Sequence, residues 1–489
     1  MVANYHKLGK NAVILTAAKM VTIFIALVSS MLLSRFRTLE EYGTYSQILI
    51  VINLVTSLFT LGLPNSTNYF LARAENLQER KQFLSVYYSL NTILCFGMGI
   101  VLVCSVPLIV SYFNNPLIRS FIYVLTLLPW TKVIISSISN VLVVYGKTKK
   151  LMLLNTVNAA VALVAILIVE IFQWSFQEYM FLYLLGEIGI MLWVYGIVMH
   201  LEGHLSFSLN KIYILKIFQY SIPIGVASFI GTISLELDKL MIGRFMGTEA
   251  VAIYTNAGKE LPLTIVASSL TAVLLPQMAR YLKKNETEKA VTLWSFAIEL
   301  SYICICFFSM TCIVFAPQIM TILYSEKYLS GVSVFRIYSL VLLLRTTYFG
   351  IILNSIGKTK FILYSSLLSL ILNCVLNVMF FYLFGFIGPA IATFISMGFV
   401  GIVQLLVTSS KIHISFKRLF PWKKLLNITF ANVFLGSLSF SVIQYFKVGI
   451  DIDDIIFSIL IGIICMGIYF ILLRKRIIVL WRKLNNDTK

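Results

Sequence analysis

Hydrophobic residues run through this chain in long blocks, and polar residues collect in the short gaps between them. Neither the two-residue alternation of a half-buried strand nor the narrow stripe of a surface helix dominates. Fourteen blocks of near-spanning length can be traced: Ala12–Leu33, Tyr45–Leu63, Val86–Val110, Phe121–Val144, Leu151–Phe172, Tyr179–His200, Ile217–Met241, Val251–Leu275, Leu293–Phe315, Val332–Leu353, Phe361–Phe384, Gly388–Thr408, Leu425–Tyr445 and Ile455–Leu473. About 20 apolar residues in a helix cross the hydrocarbon core of a bilayer. The pattern therefore predicts an all-α polytopic membrane protein with 14 transmembrane helices.

Composition strengthens that reading. Of 489 residues, 59% are hydrophobic and 12% charged, where soluble chains have about 45–50% and about 25%. The mean hydropathy is +0.91. The gaps leave little room for a separate water-soluble catalytic domain. Ala12–Leu33 is too long for a signal-peptide core and carries Lys19, so a retained first helix is expected. The seven cysteines all fall inside apolar blocks and lack metal-binding or disulfide-framework spacing. His200 and His204 lie four apart without a third ligand nearby, so no metal is expected.

The net charge of +19 is informative through its placement. Of the 39 Lys and Arg residues, 27 fall in one set of alternate segments and six in the other, with six inside the blocks. By the positive-inside rule both termini are cytoplasmic. Clusters such as Lys411–Lys424 and the tail then face anionic headgroups, which makes membrane lipids the partners and excludes a nucleic-acid role.

The two halves of the chain echo each other. Ser34-Arg35-Phe36 with Glu40 and Tyr45 returns as Gly243-Arg244-Phe245 with Glu249 and Tyr254, at an offset of 209. Gly146-Lys147-Thr148-Lys149 returns as Gly357-Lys358-Thr359-Lys360, at an offset of 211. Both echoes stand six helices apart, so the repeats are parallel. Paired bundles of this kind suit a transporter with a site between two lobes. The Gly-Lys-Thr triplets are not phosphate loops, because that motif needs a glycine where Val141 and Ile352 stand.

Ionisable groups within the blocks are costly in a bilayer and mark candidate functional positions. Lys19, Lys132, Lys259 and Arg345 are candidate cavity cations, and such cations suit an anionic ligand such as a diphosphate. Glu187 and Glu299 are candidates for coupling to H⁺ or Na⁺ or for charge pairing, as are Glu236, Asp238, Lys239 and Glu260. Glu236 and Lys239 are three apart and suited to pair along one helix face. No catalytic residue and no cofactor is expected.

The motif Ser34-Arg35-Phe36-Arg37-Thr38-Leu39-Glu40-Glu41-Tyr42-Gly43-Thr44-Tyr45 carries a family resemblance, together with Tyr145–Thr148, Asp238-Lys239, Gly243, Gly247, Tyr254 and Asn256–Glu260. With Leu275-Pro276 and the stretch from Ile337 to Pro389, the chain resembles the polysaccharide-transporter branch of the multidrug/oligosaccharidyl-lipid/polysaccharide exporter superfamily. The resemblance implies two six-helix lobes, 1–205 and 206–410, facing across a V-shaped cavity. Residues 411–489 would add two helices and a basic cytoplasmic tail, the pair resembling one that forms a lipid groove in peptidoglycan-precursor flippases. It implies a flippase that moves an undecaprenyl-diphosphate-linked oligosaccharide from the inner to the outer leaflet of the bacterial cytoplasmic membrane by alternating access. Cavity cations would hold the diphosphate, and a polysaccharide polymerase and glycosyltransferases would be partners. Two other readings are open: a cation-coupled multidrug/toxin exporter of the same superfamily, and a membrane-embedded glycosyl- or acyltransferase. Lys19, standing where an exporter would want an acid, speaks against the first; the repeat and the lack of an acidic loop speak against the second.

Overall fold

The computed structural model describes residues 20–203, 206–259, 265–446 and 448–487. Among them every regular element is helical. The helices are α1 (Met20–Phe36), α2 (Leu39–Thr60), α3 (Leu63–Arg73), α4 (Leu77–Phe113), α5 (Ile122–Val144), α6 (Thr148–Ile171), α7 (Phe176–Glu202), α8 (Lys211–Phe245), α9 (Thr248–Ala257) and α10 (Ile265–Lys283). Then follow α11 (Thr287–Val314), α12 (Ala316–Tyr324), α13 (Val332–Leu344), α14 (Ile351–Ser355), α15 (Thr359–Phe384), α16 (Gly388–Ile412), α17 (Phe416–Leu419), α18 (Trp422–Tyr445) and α19 (Ile452–Asp487).

Eleven helical stretches among the described residues are long and apolar enough to cross a membrane. The other three predicted spans fall where helix is interrupted, joined or partly described. The first begins outside the described residues. The eighth is divided between α9 and α10 instead of forming one helix. The eleventh and twelfth run together as Thr359–Ile412, joined by the 3₁₀ turn Gly385–Ile387. One further span expected to be continuous is broken, since α13 stops at Leu344 before α14. The second span holds as α2, which gives way to α3 at its expected end, where Leu61 and Gly62 are both left-handed. The expected tail is also helical, since α19 continues unbroken to Asp487.

Large apolar side chains stay exposed along the outer faces, among them Leu108, Ile171, Phe434 and Ile471. Soluble surfaces do not carry apolar area on this scale, and lipid is the solvent that accepts it. This is a multi-pass membrane protein.

The repeat has a structural signature. After α5, Lys147 N–H donates to the Leu142 carbonyl (2.9 Å) and Gly146 N–H to that of Val143 (3.0 Å). After α14, Lys358 N–H donates to Leu353 (2.8 Å) and Gly357 N–H to Asn354 (3.1 Å). These are the paired bonds of a Schellman cap, and its left-handed position explains both glycines, at φ 65° and 72°. The Gly-Lys-Thr-Lys echo is thus a helix stop followed by a helix start. A further echo is invisible in the residues: the 3₁₀ segments Pro116–Phe121 and Glu326–Gly331 occupy equivalent places despite sharing no motif. Arg244 of the outer motif donates to the carbonyls of Ser111 and Tyr112, each at 3.1 Å, where the C-terminus of α4 leaves acceptors unpaired.

The helices pack as two units, Met1–Ala252 and Ile253–Lys489. In the first, α5 is enclosed by α3, α4, α6 and α7, and α8 packs on α2, α3 and α4. Gly62 and Gly225 meet so closely there that a Cβ on Gly62 would stand 2.6 Å from Gly225 N. In the second, α11 is the central helix, contacting α10, α13, α18 and α19. Tyr469 fixes α19 to it by donating to the Ile303 carbonyl (2.9 Å), while Asn432 of α18 donates to the Tyr469 hydroxyl (3.1 Å).

Candidate functional site

In the first unit Lys132 lies about one turn beyond Pro129 on α5. Its ammonium donates to Glu187 Oε1 at 2.7 Å and to the Tyr183 hydroxyl at 2.8 Å. Tyr183 and Glu187 are one turn apart on α7, so one helix face presents both acceptors. Tyr179 stacks on Tyr183 with ring centroids 6.1 Å apart, and Tyr45 of α2 meets Tyr179 edge-on at 6.4 Å. The pair is lopsided: the Glu187 side chain is 1% exposed and that of Lys132 is 35% exposed. Lys132 has no anion near it in sequence, yet it has one in space.

Near the end of α8, Lys239 and Glu236 form an ion pair at 2.8 Å. Asn53 of α2 donates to the other Glu236 oxygen at 3.0 Å. Asp238 is buried.

In the second unit Lys259 and Arg345 come together. Lys259 follows the end of α9 and Arg345 caps the end of α13, and both line one crevice with Gly258, Tyr338 and Ser339. Each cation therefore stands at a helix C-terminus, whose unpaired carbonyls and dipole favour positive charge. The crevice offers about 10 Å³, room for about one water molecule. Arg345 Nη2 also approaches Met397 Sδ at 3.9 Å.

Glu299 of α11, 2% exposed, binds Lys424 of α18 at 3.0 Å and Arg476 of α19. It holds the C-terminal helix pair to the central helix. Lys424 and Arg476 belong to basic clusters that the sequence places in water, and their reach to a buried acid could not be read from spacing. Elsewhere in this unit α11, α12 and α19 line an open apolar cavity of about 210 Å³, with Phe307, Phe315, Ile319, Ile459 and Ile463 in its walls. Lys19 and Glu260 lie outside the described residues. Tyr183 and Asn53 were missed in the sequence; the four-residue step from Tyr183 to Glu187 was the available signal.

A family model described as polysaccharide biosynthesis protein matches residues 32–333, and the chain belongs to that family. A curated relative is the probable low-salt glycan biosynthesis flippase Agl15 of Haloferax volcanii, 25% identical over 227 residues. That match spans 45% of this chain and 48% of the relative, about half its length. Among solved structures, the inward closed conformation of the lipid II flippase MurJ aligns with a TM-score of 0.77 at 16% identity, over 95% of this chain and 100% of that one. An inward-facing multidrug resistance transporter of the MATE family aligns with a TM-score of 0.64 at 17% identity, over 82% of this chain and 98% of that one. The fold is that of the MOP superfamily, and these relatives and neighbours are flippases and transporters.

Proposed function

We propose that this protein is a flippase carrying an undecaprenyl-diphosphate-linked oligosaccharide from the inner to the outer leaflet of a bacterial cytoplasmic membrane, for surface-polysaccharide synthesis. Alternating access moves the head group, both termini are cytoplasmic, and glycosyltransferases and a polymerase act before and after it. The observation that carries the reading is the apolar cavity of α11, α12 and α19, a place of the right chemistry for a prenyl tail beside the membrane. Family membership and the glycan-flippase relative support it. Lys259 and Arg345 support it too, as a pair of cations suited to a diphosphate. Their crevice is too narrow for one in this conformation, so head-group binding requires it to open.

The driving force fits the membrane potential. A charge crossing 100 mV is worth about 2.3 kcal/mol, and a dianion leaving an inside-negative cell moves downhill by about twice that without ATP. The test is reconstitution into vesicles loaded with a lipid-diphosphate oligosaccharide. We expect flipping that accelerates with an inside-negative potential and falls at least tenfold when Lys259 and Arg345 are both changed to Ala. Dye efflux without flipping would instead assign a multidrug exporter, the reading that the MATE fold favours.

A further inference from the structure

Lys132 and Glu187 are unequal partners, and the inequality has a chemical consequence. The ammonium is partly open while the carboxylate is enclosed. Glu187 Oε2 is buried with no hydrogen-bond partner among the described residues, leaving the charge of the carboxylate to rest on Lys132 and on the Tyr183 hydroxyl beside it. Among the described residues the surroundings supply no second cation. From α5 comes Lys132, and from α7 Tyr179 and Tyr183. From α2 come Tyr45, which interacts with both members of the pair, and Tyr42 beside it. On the α6 side Val161 packs against Gly186. The titratable group that α4 brings to α7 is Tyr88, beside Tyr195, about two turns further along. The 3₁₀ segment meets α7 only at its start, through Phe121 on Phe176.

We infer that Glu187 is the resident counter-anion of Lys132, displaced by an anionic phosphate ligand and neutralised by a proton from water as the lysine changes partner. This deepens the flippase reading and rests on it. A bare carboxylate cannot stay ionised in so enclosed a site once its cation turns away. The balance is simple: the ammonium of Lys132 keeps its three protons and exchanges one oxygen acceptor for another. Glu187 takes up one proton at the freed oxygen, and the Tyr183 hydroxyl stays between the two groups. Binding at Lys132 is then linked to one proton, and it strengthens as pH falls. Where the free carboxylate is ionised, the dissociation constant rises about tenfold per pH unit.

The purified full-length protein tests this by calorimetry with dihexyl diphosphate, a diester whose two charges do not titrate near neutral pH. Titrations in two buffers of different ionisation enthalpy count the protons taken up. We expect close to one proton per ligand for the unmodified protein and none for Glu187→Gln, which should also bind several-fold more tightly at pH 8 and lose the pH slope. Glu187→Gln should elute and melt as the parent does, and the proton count of the unmodified protein needs no variant. Diphosphate binding without proton uptake, or uptake unchanged in Glu187→Gln, overturns the inference and leaves the flippase reading standing. No diphosphate binding at all by the unmodified protein overturns that reading as well.

Discussion

At the scale of the residue, this chain solves the problem of charge in hydrocarbon in three ways. Lys132 and Glu187 pair across helices, Glu236 and Lys239 pair along one helix, and Lys259 and Arg345 sit against the ends of helices. Sequence alone identified the charged residues and the Glu236–Lys239 pair, but not the other two solutions, which depend on residues 55 positions apart or on helix ends inside an expected span. The glycine at position 62 is another such detail. It adopts φ 72°, and a Cβ there would lie 2.6 Å from both Gly225 N and the Ser221 carbonyl oxygen. Gly62→Ala should therefore cost about 3 kcal/mol or more through backbone strain and overlap together. A helical glycine with open space around it, Gly231, offers the contrast: its change to Ala should be neutral or slightly stabilising. Melting of the two variants in detergent, followed by size-exclusion chromatography, checks both expectations.

At the scale of the element, hydropathy located the helices well and their interruptions poorly. The long blocks became α6, α7, α15, α16 and α18 with edges shifted by a few residues, while α4 starts at Leu77, well before the expected Val86. The division at Leu61-Gly62 follows a largely apolar run, whereas those at Gly258-Lys259 and after Leu344 fall at short polar clusters, Asn256–Glu260 and Arg345–Thr347, too brief to end a hydropathy block. Turn chemistry was legible where it mattered for the repeat, since Gly146 and Gly357 are the glycines that a left-handed helix stop requires. The docking of α18 and α19 was not legible, because Glu299 draws on cations from two separate basic clusters. Removing that carboxylate should loosen the pair while sparing the rest. Glu299→Gln is expected to raise the rate of limited proteolysis around residues 413–421 several-fold, with the first unit cleaved as before. Equal protection in the variant and the parent would assign the anchoring to Tyr469 and Asn432 alone.

At the scale of the whole molecule, the duplicated organisation and the membrane character were both readable from the residues, the first from two motifs at nearly one offset and the second from composition. The distribution of helix contacts was not, because it depends on which helix α8 packs against. In the repeat α8 opens the second copy, yet its packing partners α2, α3 and α4 all belong to the first, and the compact unit extends to Ala252. A chain severed at Gly247 and co-expressed as two fragments should consequently assemble into stable protein, whereas one severed near residue 205 should yield fragments that are degraded. Membrane abundance of each fragment, followed by an epitope tag, measures the difference. Ancestry and adhesion thus draw their borders in different places along this polypeptide. The seam between the two sequence repeats is therefore not a place where this polypeptide should come apart intact.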